Sequence, residues 1–305
     1  MERGAATRGK VAKAVAGAEA IEIKATIPDH QVMQALSRFG LTASNDEERY
    51  IYFFDTPGLD LLRAGIITRA RRVVGGAHDC TVKLRPVEPA DVASKWRKYR
   101  DFKIEADASE KGVVKSASFS MPVAGGLIKR VAAGTKPIAA IFTKEQEAFL
   151  MTMARRRIDF STLAVLGPLA AQRWEFEDPA CPWPITAELW KRADGDLLLE
   201  VSIKTPVVQA AAAIGGFMAF LAEVGADRDN EQQTKTRWAL EFYAGKLARK
   251  RPGKPALKSP RKSPRKSPRD TARKPPGRTT SVKGATRKAP PKNRKRARPA
   301  SSARG

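Results

Sequence analysis

The chain has 305 residues and a formal net charge of +25, but this charge is concentrated at one end. Residues 246–305 contain 23 Lys or Arg residues and a single acid, Asp270, so the first 245 residues carry a net charge of only +3. The only two cysteines, Cys80 and Cys181, lack zinc-site spacing and are too few for a disulfide-stapled secreted domain. We therefore expect reduced thiols and a cytoplasmic protein.

Composition divides the chain into three parts. Residues 1–18 combine basic and small residues without a long apolar run, which predicts a flexible leader rather than a secretory signal. Residues 19–245 are enough to bury a core as one domain, whereas 246–305 are rich in Lys, Arg and Pro, which predicts disorder. The Ala- and Gly-rich stretch 206–222 is too weakly apolar to cross a membrane, so we expect no membrane contact.

The elements follow one another in a strand-rich order. After a first strand around Glu22, a helix is predicted from Pro28 to Gly40. The next predicted elements are a strand at 49–54, a short helix at 59–64, a strand through Arg71, a turn at Gly75-Gly76 and a strand at 78–85. A helical insertion at about 116–169 precedes strands at 172–176, 185–190 and 196–204 and helices at 206–224 and 229–245.

Charged and apolar residues alternate in several of these segments, and a period of two is typical of strands. The pattern occurs in Glu22-x-Lys24, Arg69-x-Arg71, Lys83-x-Arg85, Glu105-x-Asp107 and Glu200-x-Ser202-x-Lys204. One charged face on each strand predicts strands that face one another around a charged cavity, with helices covering the apolar outside. Because tight turns join several strands, we predict an α+β fold built on a closed antiparallel β-barrel, followed by the disordered tail.

Basic side chains in such a cavity suit a polyphosphate, because they neutralise phosphoryl oxygens, while carboxylates beside them can hold a divalent cation. The arrangement of segments resembles the CYTH family, the triphosphate tunnel metalloenzymes that include class IV adenylyl cyclases, thiamine triphosphatases and inorganic triphosphatases. The resemblance extends from Ala20 to about Ala244. It rests on Ile21-Glu22-Ile23-Lys24, Tyr52-Phe53-Phe54-Asp55-Thr56-Pro57, Leu61-Leu62-Arg63-Ala64-Gly65, Arg69-x-Arg71, Thr81-Val82-Lys83-Leu84, Glu188, Glu200 and Thr234-Lys235.

This resemblance implies an eight-stranded tunnel that binds a triphosphate and a divalent metal, usually Mg²⁺ or Mn²⁺. The phosphate ligands that it implies are Lys24, Arg69, Arg71, Lys83 and Lys235. The metal ligands that it implies are Glu22, Glu188 and Glu200, and we expect Lys24 and Glu200 to be catalytic. Alternation alone adds Arg85, Glu105, Asp107, Arg173 and Lys204 to the lumen, with Arg85 and Lys204 as further phosphate ligands.

Two positions depart from the family's pattern. The opening motif Glu-x-Glu-x-Lys has Ala20 in place of its first glutamate, and the late strand has Ser202 where a second glutamate is common. Because metal affinity and water positioning depend on the number of carboxylate ligands, a two-metal site is not expected. Glu22, Glu188 and Glu200 together with substrate oxygens can still hold one ion.

Three functions are compatible with these residues. The first is a metal-dependent hydrolase of an inorganic or organic triphosphate, in which a metal-oriented water attacks a terminal phosphoryl group. The second is a class IV type adenylyl cyclase, in which the 3′-hydroxyl of ATP attacks the α-phosphorus and releases pyrophosphate. The third is a non-catalytic module that binds polyphosphate, nucleotide or nucleic acid. Ala20, Ser202 and the tail suggest this hypothesis.

The tail contains a short repeat. Lys258-Ser259-Pro260-Arg261 recurs as Lys262-Ser263-Pro264-Arg265 and as Lys266-Ser267-Pro268-Arg269. Such basic, proline-spaced segments resemble the tails of linker histones and are expected to bind phosphate backbones with little sequence preference. We predict contacts to nucleic acid or polyphosphate through Lys258, Arg261, Lys262, Arg265, Lys266 and Arg269, and with them an association with the nucleoid. The sequence leaves the oligomeric state open.

Overall fold

A computed structural model of the chain describes residues 2–109, 112–154, 157–226 and 234–250. In these residues nine strands form one closed barrel. They are β1 (Ala20–Ile27), β2 (Glu47–Asp55), β3 (Ile66–Val73), β4 (Asp79–Leu84), β5 (Phe102–Ser109), β6 (Gly112–Pro122), β7 (Ala164–Asp178), β8 (Cys181–Lys191) and β9 (Leu197–Pro206). The closed barrel predicted from charge alternation is confirmed.

The strands follow the order β1-β5-β6-β4-β3-β2-β7-β8-β9 around the barrel, and β9 pairs with β1 to close it. Every described pair is antiparallel except β1 and β5, which run parallel with Ala20 opposite Glu105. A parallel pair needs a long connection, and here β2, β3 and β4 lie in that connection. The barrel is therefore mixed rather than fully antiparallel, and it has nine strands rather than the eight that the family resemblance implied.

The β6 strand corrects the predicted helical insertion at 116–169. Its residues alternate between Ser116, Ser118 and Ser120 on one face and apolar residues such as Phe119 on the other. Serine is a weaker marker of a polar strand face than Lys or Glu, so the period of two in this segment is weak.

Helices lie on the outside of the barrel and at one of its ends. The described α-helices are α1 (Glu2–Val15), α2 (Val32–Arg38), α3 (Asp60–Arg63), α4 (Gly125–Ala132), α5 (Lys144–Met153), α6 (Ala210–Glu223) and α7 (Lys235–Lys250). The predicted flexible leader is in fact mostly α1, and its Val15 side chain is buried in the main core. The helical insertion is confined to residues 125–162, and the last helix continues five residues beyond the predicted domain boundary at 245.

The apolar faces of the strands point outward into the main core. In β1 every second residue is buried, and Ile21 and Ile23 are fully shielded from solvent. They belong to the same core as Phe217 and Phe220 of α6. The helices thus cover an apolar exterior, which leaves the opposite strand faces to line the lumen.

One buried polar side chain ties α5 to the barrel. Gln146 donates hydrogen bonds from Nε2 to the carbonyl oxygens of Cys80 on β4 and Phe119 on β6, both at 2.9 Å. Its backbone amide and side-chain oxygen also form a capping box with Thr143 at the helix start. The helix is therefore anchored by directional bonds as well as by apolar packing.

A second apolar cluster fills one end of the lumen. Ile51 and Phe53 are on the same face of β2 as the lumen residue Arg49, and they pack with Trp190 of β8 and Leu240 of α7. Since the cluster includes buried residues of both the inner barrel wall and α7, this helix covers the lumen at that end.

Within the described residues both cysteines are free and buried. Burial raises the pKa of the Cys80 thiol and of the Cys181 thiol, so both are poor nucleophiles at neutral pH. None of the described helices combines the length and apolar character needed to cross a membrane.

Candidate functional site

The lumen is lined by a continuous network of charged side chains. The network joins residues on β1, β2, β4, β5, β8 and β9 and the first residue of α7. Strand register accounts for part of it, because Glu188 on β8 lies directly opposite Glu200 on β9. Sequence-predicted residues at distant positions are thus brought to one place.

Asp107 is the carboxylate at the centre of one cluster of cations. Its two oxygens lie 3.4 Å from Nζ of Lys24, 3.1 Å from Nζ of Lys83 and 3.7 Å from Nη1 of Arg85. Ser116 also donates a hydrogen bond to it, at 3.3 Å. Burial alone would raise the pKa of Asp107, but the three cations hold it well below its usual range. Asp107 is therefore ionised and holds three predicted phosphate ligands together.

Lys24 connects this cluster to a second group of carboxylates. Its ammonium lies 2.8 Å from Glu22 Oε2 and 3.9 Å from Glu200 Oε1, in addition to its contact with Asp107. Burial opposes a charged lysine, yet these carboxylates raise the pKa of Lys24 well above its ordinary value. The hydroxyl of Ser202, which lies opposite Lys24 in the β1–β9 pair, donates a hydrogen bond to Glu22 at 3.3 Å.

Lys235 has a corresponding position between Glu188 and Glu200. Its Nζ lies 2.7 Å from Glu200 Oε1, forms an ion pair with Glu188, and sits 5.0 Å from the ring centroid of Trp190. Glu188 also accepts a hydrogen bond from Arg49 Nη1 at 3.2 Å. Burial would raise the pKa of Glu188, but Lys235 and Arg49 hold it well below its usual range.

Arg69 differs from the other lumen cations. It is in register with Thr81 of β4, and in the described part of the chain it forms no ion pair. Its buried Nε also has no hydrogen-bond partner there. Burial and the neighbouring charge of Arg71 lower the pKa of Arg69 to about 10, so the guanidinium is still protonated at neutral pH. Arg71 is partly compensated, because its Nε lies 2.8 Å from Asp79 Oδ2.

The remaining predicted lumen residues lie in more exposed ion pairs. Lys204 pairs with Glu105, and half of the Lys204 side chain is exposed to solvent. Arg173 pairs with the largely exposed Glu175 and reaches Thr186 Oγ1 at 3.4 Å. These positions are accessible to a ligand, although surface pairs of this kind contribute little stability.

Two charged residues of the lumen were missed by the sequence analysis. Arg49 contacts Glu47 and Glu188, and Asp79 contacts Arg71. The alternation Arg49-x-Ile51-x-Phe53 could have placed Arg49 on an inner face, but its apolar partners made the segment look like an ordinary core strand. Asp79 follows the Gly75-Gly76 turn, where acidic residues are common for other reasons.

The predicted metal ligands do not assemble a metal site in this arrangement. No group of three or more acidic, His or Cys side chains that could hold an ion occurs in the described residues. Glu22, Glu188 and Glu200 are instead paired with ammonium groups, Lys24 lying beside Glu22 and Lys235 lying between the other two. The donor set therefore does not fit Mg²⁺ or Mn²⁺ as it stands, and the metal is still a prediction. The tail residues Lys258, Arg261, Lys262, Arg265, Lys266 and Arg269 lie outside the described residues.

Comparison with known proteins identifies the fold. The sequence matches no protein-family model and no curated protein. A candidate adenylate cyclase from Bacillus halodurans has 14% sequence identity and a TM-score of 0.51, over 72% of this chain and 97% of that one. A candidate adenylyl cyclase from Hippeastrum, whose structure is said to reveal a dominant triphosphatase activity, has 16% identity and a TM-score of 0.52, over 73% of this chain and 96% of that one.

The chain has the CYTH-type fold. At these sequence identities the likeness concerns the fold and not the reaction. The fold expected from the motifs around Glu22, Arg69, Lys83 and Glu200 is thus confirmed by similar solved structures, whereas the roles of those residues are still predictions.

Proposed function

We propose that the lumen binds and hydrolyses a triphosphate. The observation that carries the proposal is Arg69, a half-buried lumen residue whose buried Nε has no hydrogen-bond partner and whose guanidinium has no ion-pair partner in the described residues. A buried donor without an acceptor, on a charged group without an ion-pair partner, is unfavourable, so the site suits an anionic ligand that supplies the missing acceptors. A phosphoryl group matches the fork of a guanidinium and can accept two parallel hydrogen bonds from it.

Further cations line the same lumen. Arg71, Lys83, Arg85 and Lys24 are lumen side chains whose carboxylate partners can be shared with or replaced by phosphoryl oxygens. In hydrolysis, water attacks the terminal phosphorus, the bond to the bridging oxygen breaks, and orthophosphate forms while the diphosphate leaves: pyrophosphate from tripolyphosphate, ADP from ATP. Fixed cations accelerate this step by neutralising charge that spreads over the phosphoryl oxygens. Among them Lys24 has the largest number of carboxylate contacts, which keeps it charged and in place.

The similar structures support a triphosphate as the ligand and give two reactions. Triphosphatase activity is named for the Hippeastrum protein, and the other is described as a candidate adenylate cyclase. We take hydrolysis as the first function and cyclisation of ATP as the second. The products separate them, since hydrolysis of ATP at the terminal group yields orthophosphate and cyclisation yields cyclic AMP and pyrophosphate.

Product analysis on the full chain tests the proposal. Tripolyphosphate, thiamine triphosphate and ATP are each incubated with the protein in Mg²⁺, in Mn²⁺ and in EDTA. We expect orthophosphate release that Arg69→Gln and Glu200→Gln abolish. The matched control is Glu175→Gln, which removes an exposed carboxylate outside the central network and is expected to keep full activity.

Binding measurements distinguish a catalyst from a binder. If tripolyphosphate binds to the wild type but not to Arg69→Gln, and no product forms under any metal condition, the chain is a binding module. If neither binding nor turnover depends on Arg69, the proposed site is wrong.

We also propose that the basic tail holds the protein on nucleic acid or polyphosphate, in the cytoplasm and near the nucleoid. The support is its composition, because 23 basic residues with one acid attract phosphate backbones through counterion release. Replacing Lys258, Arg261, Lys262, Arg265, Lys266 and Arg269 by Gln in the full chain should weaken DNA binding. A plot of log affinity against log salt concentration should become less steep by up to about five units, at roughly 0.9 for each lost phosphate contact. An unchanged slope would show that these repeats do not touch the polyanion.

A further inference from the structure

Two ammonium groups occupy the places between carboxylates where a cation would have to bind. Lys235 contacts both Glu188 and Glu200, with 2.7 Å between its Nζ and Glu200 Oε1. Lys24 contacts Glu22 at 2.8 Å and also lies within 3.9 Å of Glu200. Each of the three predicted metal ligands therefore already has a positive partner. Their side chains are also largely removed from solvent, between 9% and 27% exposed, so these pairs are weakly screened.

A divalent cation would have to displace these lysines, which would leave Lys235 without a carboxylate partner among the described residues and Lys24 with only its share of Asp107. Removing one member of a buried ion pair is strongly unfavourable, because the remaining charge is left uncompensated. Neighbouring carboxylates cannot accept the displaced charge. Asp107 is already shared by Lys24, Lys83 and Arg85, and Glu188 is already bonded to Arg49.

Two positions of the lumen could have supplied further carboxylates but do not. Ser202 lies opposite Lys24, and its hydroxyl donates a hydrogen bond to Glu22. Ala20, on the same face of β1 as Glu22, offers no polar side chain at all. Affinity for hard divalent cations rises with the number of charged oxygen ligands, so neither position raises it.

A triphosphate changes this balance. Its oxygens can take the ammonium groups of Lys24 and Lys235 as partners, which releases Glu200 from both lysines and leaves Glu188 bonded to Arg49. It also brings oxygen donors of its own. We propose that the free chain binds a triphosphate without a divalent cation and does not bind the cation alone, so that the metal enters only with or after the anion. This inference rests on the proposed function of the tunnel.

Two separate titrations of the full chain test the order. In the first, Mn²⁺ is added without any phosphate, and free Mn²⁺ is followed by electron paramagnetic resonance. In the second, tripolyphosphate is added in EDTA and the heat is recorded, with Arg69→Gln as the control that keeps the basic tail but loses the unpaired lumen guanidinium. We expect the Mn²⁺ to stay free. We expect a saturable one-to-one tripolyphosphate component that is present in the wild type and absent in Arg69→Gln.

Removing the competing ammonium should create the missing cation site. Lys235→Met is expected to bind Mn²⁺ in the absence of phosphate about tenfold or more tightly than the wild type, because Glu188 and Glu200 lose their shared partner. Ser202→Glu, which adds a carboxylate opposite Lys24, is expected to change the affinity in the same direction. It serves as the second variant if Lys235→Met disturbs α7.

The outcomes are distinguishable. Stoichiometric Mn²⁺ binding by the wild type without phosphate would overturn the proposed order. So would a tripolyphosphate component that appears only when Mn²⁺ is present, or folded Lys235→Met and Ser202→Glu variants that gain no Mn²⁺ affinity. Absence of any component sensitive to Arg69→Gln, with or without Mn²⁺, would instead reject both the triphosphate site and this inference.

Discussion

Asp107 and Lys83 meet across an intervening strand. Nζ of Lys83 lies 3.1 Å from Oδ2 of Asp107, although β6 separates β4 from β5 in the barrel. The contact is possible because β6 presents small side chains such as Ser116 and Ser118 towards the lumen. A large residue at either position would separate the carboxylate from the cations that it holds.

Replacing this carboxylate by an amide should destabilise the protein in a pH-dependent way. Asp107→Asn leaves Lys83 without its closest counter-ion, and we expect a loss of about 3 kcal/mol in the free energy of unfolding at pH 7. The folded-state pKa of Asp107 is depressed, so its stabilisation is fully present above the unfolded value of about 3.9, starts to decline below that value, and is lost only as the pH falls through the lower folded-state pKa; the effect of the substitution should therefore be smaller at pH 3 than at pH 7. Urea unfolding at pH 7 and at pH 3 measures both.

The matched control for this prediction is Glu175→Gln. Its carboxylate is 65% exposed and pairs with Arg173 at the edge of the network, so we expect a change within about 0.5 kcal/mol. A difference between Asp107→Asn and the wild type that stays the same at pH 7 and pH 3 would contradict the assigned role of the Asp107 charge.

Affinity for tripolyphosphate should fall at alkaline pH as Lys83 loses its proton. Burial lowers the pKa of Lys83 from its ordinary value of 10.5, even though Asp107 acts in the opposite direction. Because the anion requires the protonated amine, affinity should fall about tenfold as the pH passes through this lowered pKa. Lys83→Arg keeps its charge and should move the decline to higher pH, which calorimetry between pH 7 and pH 10.5 would detect.

Other lysines, including those of the tail, also titrate in this range, so the comparison needs a surface control. Lys191→Arg replaces an exposed lysine of β8 and should leave the alkaline decline where it is in the wild type. Superimposable curves for Lys83→Arg and the wild type would show that Lys83 does not contact the anion.

Gly65 has both a left-handed backbone and a close neighbour. Its φ is +72°, and a Cβ placed there would lie 2.3 Å from the carbonyl oxygen of Arg85. Gly40 has a similar φ of +64° but no atom within 4 Å of such a Cβ. We expect Gly40→Ala to cost about 1 kcal/mol of unfolding free energy and Gly65→Ala about 3 kcal/mol.

The two alanine variants should also differ in ligand binding. Gly65→Ala displaces the backbone of Arg85, whose guanidinium contacts Asp107, so tripolyphosphate affinity should fall with stability. Thermal unfolding and calorimetry on both variants provide the test. Equal effects of Gly40→Ala and Gly65→Ala on stability would mean that the contact with Arg85 relaxes without strain.

Gln146 should be important for stability but not for binding. It is fully buried, and Gln146→Ala leaves the carbonyl oxygens of Cys80 and Phe119 without its two hydrogen bonds. We expect a loss of about 2–4 kcal/mol in unfolding free energy, whereas the exposed neighbour Lys144→Ala should change it by less than about 0.5 kcal/mol. Because α5 packs outside the barrel, tripolyphosphate affinity should be unchanged, and a large loss of affinity would place α5 in contact with the site.

Much of the barrel could be predicted from alternation, since a charged lumen and an apolar exterior impose a period of two on strands such as β1 and β9. The missed strand, β6, has Ser116, Ser118 and Ser120 in place of charges, which shows that the signal depends on side chains that contrast strongly. Alternation also carries no information about which strands pair with each other. The parallel pairing of β1 with β5 therefore could not be predicted, and neither could the ninth strand.

The identity of the charged residues in the site was predicted better than the contacts between them. Lys24, Lys83 and Asp107 were each expected in the lumen, and they do meet there. The sequence could not show that Lys235, on a helix that follows the last strand, lies between Glu188 and Glu200. That placement depends on how α7 packs, and it changes what the glutamates can bind.

The position of β1 between β5 and β9 has a consequence for biosynthesis. Glu22 is paired with Lys204, so the first strand of the barrel obtains its last neighbour only after about 180 further residues have been made. At ribosomal speeds of about 5–20 residues per second, this delay is roughly 10–40 s. During that interval the apolar side of β1, with Ile21 and Ile23, has no complete core to enter. Nascent chains arrested before β9 should therefore need a chaperone to remain free of aggregates.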